Sequence, residues 1–428
     1  MSQARLVPLA RHVTGTGEGA DKDGVAPGSC RTPGPAPTLA RPDSCGAVLT
    51  AAEVGFKAAR LSRALHVGLP VLPGWVVPVS ASRKAMRAGA DAVLASGLAA
   101  GRVAVLGLPV EPELEAELRA VVDELGGRVI VRSSSQLERD GVWAGAFSSV
   151  AGVGCDDVAN AVRSCWASAF APDPLGRLDA CELDLEALEL GVLVQPEIAL
   201  VAGGVAHVTA GGGVSVAGVR GHPGALLSGW AEGARDADLA DLIGSQTVAD
   251  VAGLTRRVHA ALGDDVIEWG ACDGKVWLLQ SQRGASRPAA APATQPPEDG
   301  TRVPAQPAAP GTATGPLLPC RPHQAVDCRG AILLVDRPLP ALAPLLFGAR
   351  GVISRAAAAG AHLAEVARSL GVPMVTSCRT ETVTGPDPAP GDWHAVIDGA
   401  TGEVLLSPAT GRRPPRPGAP CGGPPARR

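Results

Sequence analysis

A chain of 428 residues has room for two or three domains at roughly 100–200 residues each, and 46% hydrophobic residues suit a globular protein with a buried core. A formal net charge of −4 and 3% aromatic residues, with no tyrosine, argue against a binder of nucleic acid or of acidic membranes. The 54 glycines and 39 prolines imply many turns and some irregular stretches.

Residues 1–45 are rich in Gly, Pro, Thr and Ser without a period and read as a disordered leader. They contain no apolar signal-peptide core, and no run of eighteen apolar residues follows, so a cytoplasmic protein is expected. The 10 cysteines include no C-x-x-C pair and read as reduced core residues, not zinc ligands. A folded block is expected over 46–282, a Pro/Ala-rich linker over 283–325, a second folded block over 326–408 and a disordered tail over 409–428.

Within the first block, Val54, Ala58, Leu61 and Leu65 fall at helical spacing up to the stop at Gly68-Leu69-Pro70. VLPGWVVPV reads as a strand, EPELEAELRAVVDELGG as an amphipathic helix and VIVRSSS as a β-branched strand running into a hydroxyl-rich loop. DDVANAVRSCWASAF is a further helix, GVLVQPEIALVAGGVAHV two strands about a Gly-Gly turn, and VIEWGACDGKVWLLQSQR a hairpin. The second block opens with the strands AILLV and GVIS, carries a helix over about 363–370 and closes with the hairpin HAVIDGATGEVLL.

The 266–282 hairpin permits a parity argument. With a three-residue loop, Asp273-Gly274-Lys275, Glu268 stands opposite Gln280 on one face, while Ile267, Trp269, Trp277 and Leu279 share the other. A two-residue loop would put Glu268 and Gln280 on opposite faces. A paired carboxylate and amide oxygen suit a hard cation such as Mg²⁺ bridging phosphates; the plainer reading is an ordinary polar face. Lys57, near a helix start, and Arg132, at a strand end, are candidate phosphate partners or simply solvated charges. Gly211-Gly212-Gly213 fits a turn better than a phosphate cradle. His362 stands at a helix N-terminus behind a run of small residues, where added negative charge is favoured; otherwise it is a structural histidine.

Taken together, these stretches resemble the phosphoenolpyruvate synthase, pyruvate phosphate dikinase and rifampin phosphotransferase group. Gly55-Phe56-Lys57 followed by Gly68-Leu69-Pro70-Val71-Leu72-Pro73-Gly74-Trp75 is similar to the group's G-G-K…G-L-P-V-P-P-G-F opening. Val131-Arg132-Ser133-Ser134 with Glu138 and Ala144-Gly145 resembles V-R-S-S…E-D…A-G-Q-F, and Ile267-Glu268-Trp269…Leu279-Gln280 resembles I-E-W…L-Q. Gly360-Ala361-His362-Leu363-Ala364-Glu365-Val366-Ala367-Arg368 is similar to the phosphohistidine segment T-S-H-x-A-I-x-A-R.

The resemblance implies an α/β (α+β) protein: an ATP-grasp nucleotide-binding domain, a Pro/Ala linker and a small β/β/α swivelling phosphohistidine domain. It implies ATP and Mg²⁺ as cofactors. Lys57 and Arg132 would contact phosphates, Gln195 to Ile198 would line the adenine, Glu268 and Gln280 would hold Mg²⁺, and His362 would accept the phosphoryl group. The sequence departs from the group at Phe56 (second Gly), Ala146 (Gln), Gln282 (Arg, with Arg283 one place late), Ala357-Ala358 (Gly-Gly) and Ala361 (a hydroxyl residue). No stretch corresponds to the group's acceptor domain. The expected activity is an ATP-dependent, dikinase-like phosphotransfer to an acceptor supplied in trans or bound between the domains. The alternative is a degenerate nucleotide-binding partner or regulator of a related phosphotransferase.

Overall fold

A computed structural model describes residues 6–9, 48–139, 141–209, 211–284, 300–322, 326–357 and 360–409. β-Branched runs punctuated by glycine turns assemble three sheets in chain order. The first contains β1 (Val7–Pro8), β2 (Trp75–Val77), β3 (Val129–Ser135), β4 (Ser149–Val153) and β5 (Leu190–Pro196), in the order β1-β2-β5-β3-β4 with every pairing antiparallel. Central β5 is buried along its whole length, which is why it reads as a continuous apolar run rather than an alternating one. Its Val192 and Val194 share a core with Leu118 and Val122 of the Pro112–Glu124 helix and Val162 of the Val158–Ala167 helix.

The second sheet contains β6 (Ala202–Val208), β7 (Val214–Arg220), β8 (Ala234–Arg235), β9 (Val266–Cys272) and β10 (Lys275–Gln282), in the order β10-β9-β6-β7-β8. Leu61 of the Phe56–His66 helix and Leu254 and Val258 of the Ser245–Leu262 helix close its core against Ile267, Trp269 and Leu278. The expected Gly-Gly turn between β5 and β6 is not a turn: Gly203 and Gly204 lie inside β6, and the two strands belong to different sheets. Gly211-Gly212-Gly213 falls at the β6–β7 turn, where the Thr209 N–H bonds the Gly213 carbonyl.

The third sheet contains β11 (Thr301–Pro304), β12 (Gln306–Ala309), β13 (Thr312–Pro319), β14 (Ile332–Val335), β15 (Gly351–Ser354), β16 (Met374–Thr376), β17 (Trp393–Asp398) and β18 (Glu403–Pro408). Its order is β11-β18-β17-β13-β14-β15-β16-β12, with β13 to β16 parallel. The His362–Leu370 helix buries Leu363, Val366 and Ala367 against β14 to β16 and ends at Gly371 in the left-handed region.

Two expected boundaries are corrected. The linker expected over 283–325 contains β11 to β13, so the C-terminal unit begins near residue 300. Its prolines suit their positions: Pro304 and Pro307 lie on edge strands. Pro316, with no N–H, stands where β13 passes from antiparallel pairing with β17 to parallel pairing with β14. The leader is not wholly irregular either. β1 pairs with β2, Leu6 N–H donates to Glu117 Oε2 at 2.9 Å, and Leu9 is fully buried. The remaining leader residues, the segment 285–299 and the tail beyond residue 409 lie outside the described residues.

Candidate functional site

The expected helix over Val54 to Leu65 is broken at Gly55 into Ala51–Val54 and Phe56–His66. Gly55 has φ +79°, and a Cβ there would collide with the Ser134 carbonyl, so the break requires glycine. The restarted helix places the Ala58 N–H on Ser134 Oγ at 3.0 Å. Lys57 points down β3, its Nζ 2.9 Å from the Ser133 carbonyl and 3.0 Å from Glu138 Oε1. Glu138 in turn accepts the Ser135 N–H at 2.9 Å, so this buried ion pair is hydrogen-bonded at both ends.

Arg132 projects from β3 toward the β9–β10 hairpin. Its Nη1 donates to the Leu279 carbonyl at 2.7 Å, and its Nη2 lies 3.4 Å from both Glu268 Oε2 and Gln280 Oε1. Glu268 and Gln280 are direct cross-strand partners, as expected, but by a different route. Cys272 pairs with Lys275, so the loop is the two residues Asp273-Gly274, and parity alone would separate the two side chains. A β-bulge between Leu278 and Gln280 restores them to one face and leaves the Leu279 carbonyl for Arg132. The core side is corrected accordingly: Leu278, not Leu279, pairs with Trp269 and is buried, while Trp277 is only half-buried.

Gln195 is buried at the end of β5, its Nε2 donating to the Leu72 carbonyl at 2.9 Å. Leu72, Ile130, Ile198, Leu200 and Leu279 give the cavity that Gln195 borders its apolar lining.

All seven residues singled out from the sequence, Lys57, Arg132, Gln195, Ile198, Glu268, Gln280 and His362, line one cavity of about 350 Å³. It lies between the first two sheets, and the third sheet's unit contributes His362 and Pro340. His362 opens its helix behind Ala361, an N-cap position with no side-chain oxygen to bond the first turn. Its ring rests on Gly145 (φ +66°), where a Cβ would come within 2.6–2.9 Å of His362 Cδ2, Cγ and Cβ. Arg177 braces that contact: it is fully buried, paired with Asp173, and donates to the Val142 and Ala144 carbonyls at 2.7 and 3.0 Å.

His362 Nδ1 is buried without a hydrogen-bond partner. Burial first, opposed by Glu268 and reinforced by Lys57, Arg177 and Arg132, holds the imidazole below its ordinary pKa, so at pH 7 it is neutral with one free lone pair. One turn on, burial and then Glu268, against the pull of Arg368, push the Glu365 carboxyl up to about 7.

Three lining features were not read from the sequence as site residues. Glu138 belongs to the Val131-Arg132-Ser133-Ser134 motif, its signal a carboxylate three residues after the hydroxyl strand end. Glu197 and His222 had no periodic signal, although His222 lies in a turn-forming Gly-His-Pro-Gly cluster. Arg283, the first arginine after β10, is exposed and turned toward Gly263, with Arg60 and Asp264 in its electrostatic reach, and is not among the lining residues.

The cavity is lined by Lys57, Arg132 and several apolar side chains, and His362 reaches it from a separate sheet unit. Residues 51–213 match the family described as "Pyruvate phosphate dikinase, AMP/ATP-binding domain". Residues 327–402 match the family described as "PEP-utilising enzyme, mobile domain". Both domains in this order place the chain in the phosphoenolpyruvate synthase/pyruvate phosphate dikinase-like group.

Over 172 residues the chain is 31% identical to the prodigiosin synthesizing transferase PigC of Serratia marcescens. That match covers 38% of this chain and 19% of the PigC protein, so the chain spans about a fifth of that relative's length. C-terminally truncated Cdc123 from Schizosaccharomyces pombe aligns at 12% identity and a TM-score of 0.25, over 44% of this chain and 74% of that one, an overlap too small to bear on fold or function. Among the described residues no helix is long and apolar enough to cross a membrane.

Proposed function

We propose that the protein is an ATP-dependent phosphotransferase that passes a phosphoryl group from ATP through His362 to an acceptor supplied in trans. The observation that carries this reading is the convergence of Lys57, Arg132, Glu268, Gln280 and His362 on one cavity from separate sheet units. A neutral imidazole nitrogen attacks phosphorus as the P–O bond of the nucleotide breaks, the leaving phosphate oxygen keeping the bonding pair. The acceptor's nucleophile then takes the phosphoryl group from the nitrogen and restores the imidazole. Lys57 and Arg132 offset charge on the transferred group.

The donor set fits Mg²⁺. The lining holds three carboxylates, Glu138, Glu197 and Glu268, against Lys57 and Arg132, so a polyphosphate needs a further positive charge. No cluster of three or more His, Cys, Asp or Glu ligands occurs among the described residues, so a cation held by Glu268 and Gln280 would complete its shell from phosphate oxygens and water, as Mg²⁺ does. When bound, the ion neutralises phosphate charge.

The alternative, a regulator that binds nucleotide without transferring phosphate, is favoured by the bare Ala361 cap and by Arg283 turned away from the cavity. Incubation with γ- and β-labelled ATP and Mg²⁺ separates the two. Transfer predicts acid-labile, base-stable label on the protein; ATP-dependent stabilisation without label supports the regulator.

A further inference from the structure

We infer that His222 is a phosphate-binding residue of the nucleotide site, donating its Nε2–H from the β7–β8 loop to the polyphosphate chain. The inference rests on the ATP reading above and deepens it. His222 lines the same cavity as Arg132 and Glu268. Its Nδ1 accepts the Gly224 N–H at 3.0 Å, which fixes the tautomer: a neutral ring whose Nδ1 accepts carries its proton on Nε2. The loop thus spends one ring nitrogen on its own turn and keeps the other as a donor with a set orientation.

A further donor adds to what Lys57 and Arg132 can offer, because part of each cation's donor capacity goes to protein partners. Lys57 is committed to Glu138 and the Ser133 carbonyl, and Arg132 to the Leu279 carbonyl with Glu268 and Gln280 nearby. Arg283 faces Gly263, outside the lining. A neutral N–H donor binds phosphate oxygen without the desolvation cost of another buried cation. His222 is exposed at the cavity edge; partial desolvation first and then the Arg132 charge, against Glu268 and Glu197, shift it below its ordinary pKa, in the direction of the neutral ring.

The test uses the full chain and calorimetric titration with Mg²⁺-ATP and with adenosine. In His222→Asn the amide oxygen can still accept the Gly224 N–H two residues on, but the distal donor is gone. In His222→Gln the amide nitrogen reaches toward the former Nε2 position. We expect His222→Asn to melt like the wild type without nucleotide, to bind ATP about tenfold more weakly and to bind adenosine equally well. His222→Gln should recover most of the ATP affinity. ATP affinity unchanged in His222→Asn, or an equal loss for ATP and adenosine, overturns the assignment to phosphate. A wild type that binds no ATP overturns the nucleotide reading itself, and this proposal with it.

Discussion

On the proposed nucleotide side of the cavity, the charged groups of the Phe56–His66 helix, β3 and the β9–β10 hairpin have protein partners: Lys57 with Glu138, and Arg132 with the Leu279 carbonyl, Glu268 and Gln280. On the histidine side the ring sits behind an alanine N-cap, rests on a glycine and leaves Nδ1 unpartnered. The difference suits the proposed division of labour. A binding surface gains from groups held before the ligand arrives, since no ordering cost then falls on binding. A carrier that must leave gains from making few directional contacts, since each hydrogen bond lost on departure slows it. Away from the ring the units also meet where the Arg337 guanidinium donates to the Trp230 carbonyl at 2.9 Å, and where Ala144 joins the core of the C-terminal unit.

The sharpest way to break the comparison is His362→Ala. All acid-labile label should disappear while ATP-dependent thermal stabilisation is retained, because the nucleotide contacts lie on the other unit. Loss of both would show that the ring is part of the nucleotide surface. Next in size is Lys57→Ala, which strands Glu138 as a buried unpaired carboxylate. Denaturant unfolding should lose about 3–5 kcal/mol, and the ATP-dependent shift should vanish. A change below 1 kcal/mol would mean that the pair is solvated.

Gly145→Ala acts on the contact between the two sides. Its methyl would lie 2.6–2.9 Å from the His362 ring on a backbone of positive φ, so labelling should slow by about tenfold with ATP affinity unchanged. Ala361→Ser supplies the absent cap. It should add roughly 0.5–2 kcal/mol to the C-terminal unit and lengthen the lifetime of any phosphohistidine.

The smallest expected effect concerns pH. Because burial raises the Glu365 pKa to about 7 in the docked arrangement, docking is favoured at low pH, weakens as pH rises from the ordinary carboxylate range, and is weakest above about 7. Glu365→Gln should flatten that dependence, raising the melting temperature at pH 8 relative to wild type but not at pH 4. Equal gains at both would show that the carboxyl is not a titrating contact.

Most of the site was legible because its residues belong to strongly patterned elements: Arg132 lies within β3, whose pairing runs on through Ser135 where a loop was expected, Glu268 and Gln280 pair across a hairpin, and His362 opens an amphipathic helix. The hairpin shows where such reading stops. Its loop is one residue shorter than assumed, and a bulge, which depends on cross-strand geometry and not on composition, corrects the register. The Pro/Ala segment departs from the expected linker for a related reason. Proline content reflects which N–H groups a strand can spare, so an edge strand and a linker have the same composition; Pro304 and Pro316 are tolerated because of their places in the sheet. His222 was invisible because loop residues carry no period, and only the packing of β7 and β8 brings that loop to the cavity.

The recruitment of β11 to β13 into the third sheet also sets a length scale. Residues 285–299 are all that separate Gly284 from Gly300, and a chain of that length spans at most about 50 Å at roughly 3.3–3.6 Å per residue. A covalent connection of at most this reach limits how far His362 can travel from the cavity. The histidine therefore reaches its own cavity far more often than that of another molecule at micromolar protein. Under the proposed phosphotransfer, cleavage within 285–299 would lower the encounter rate, and an acceptor in trans would have to come within this reach to be served.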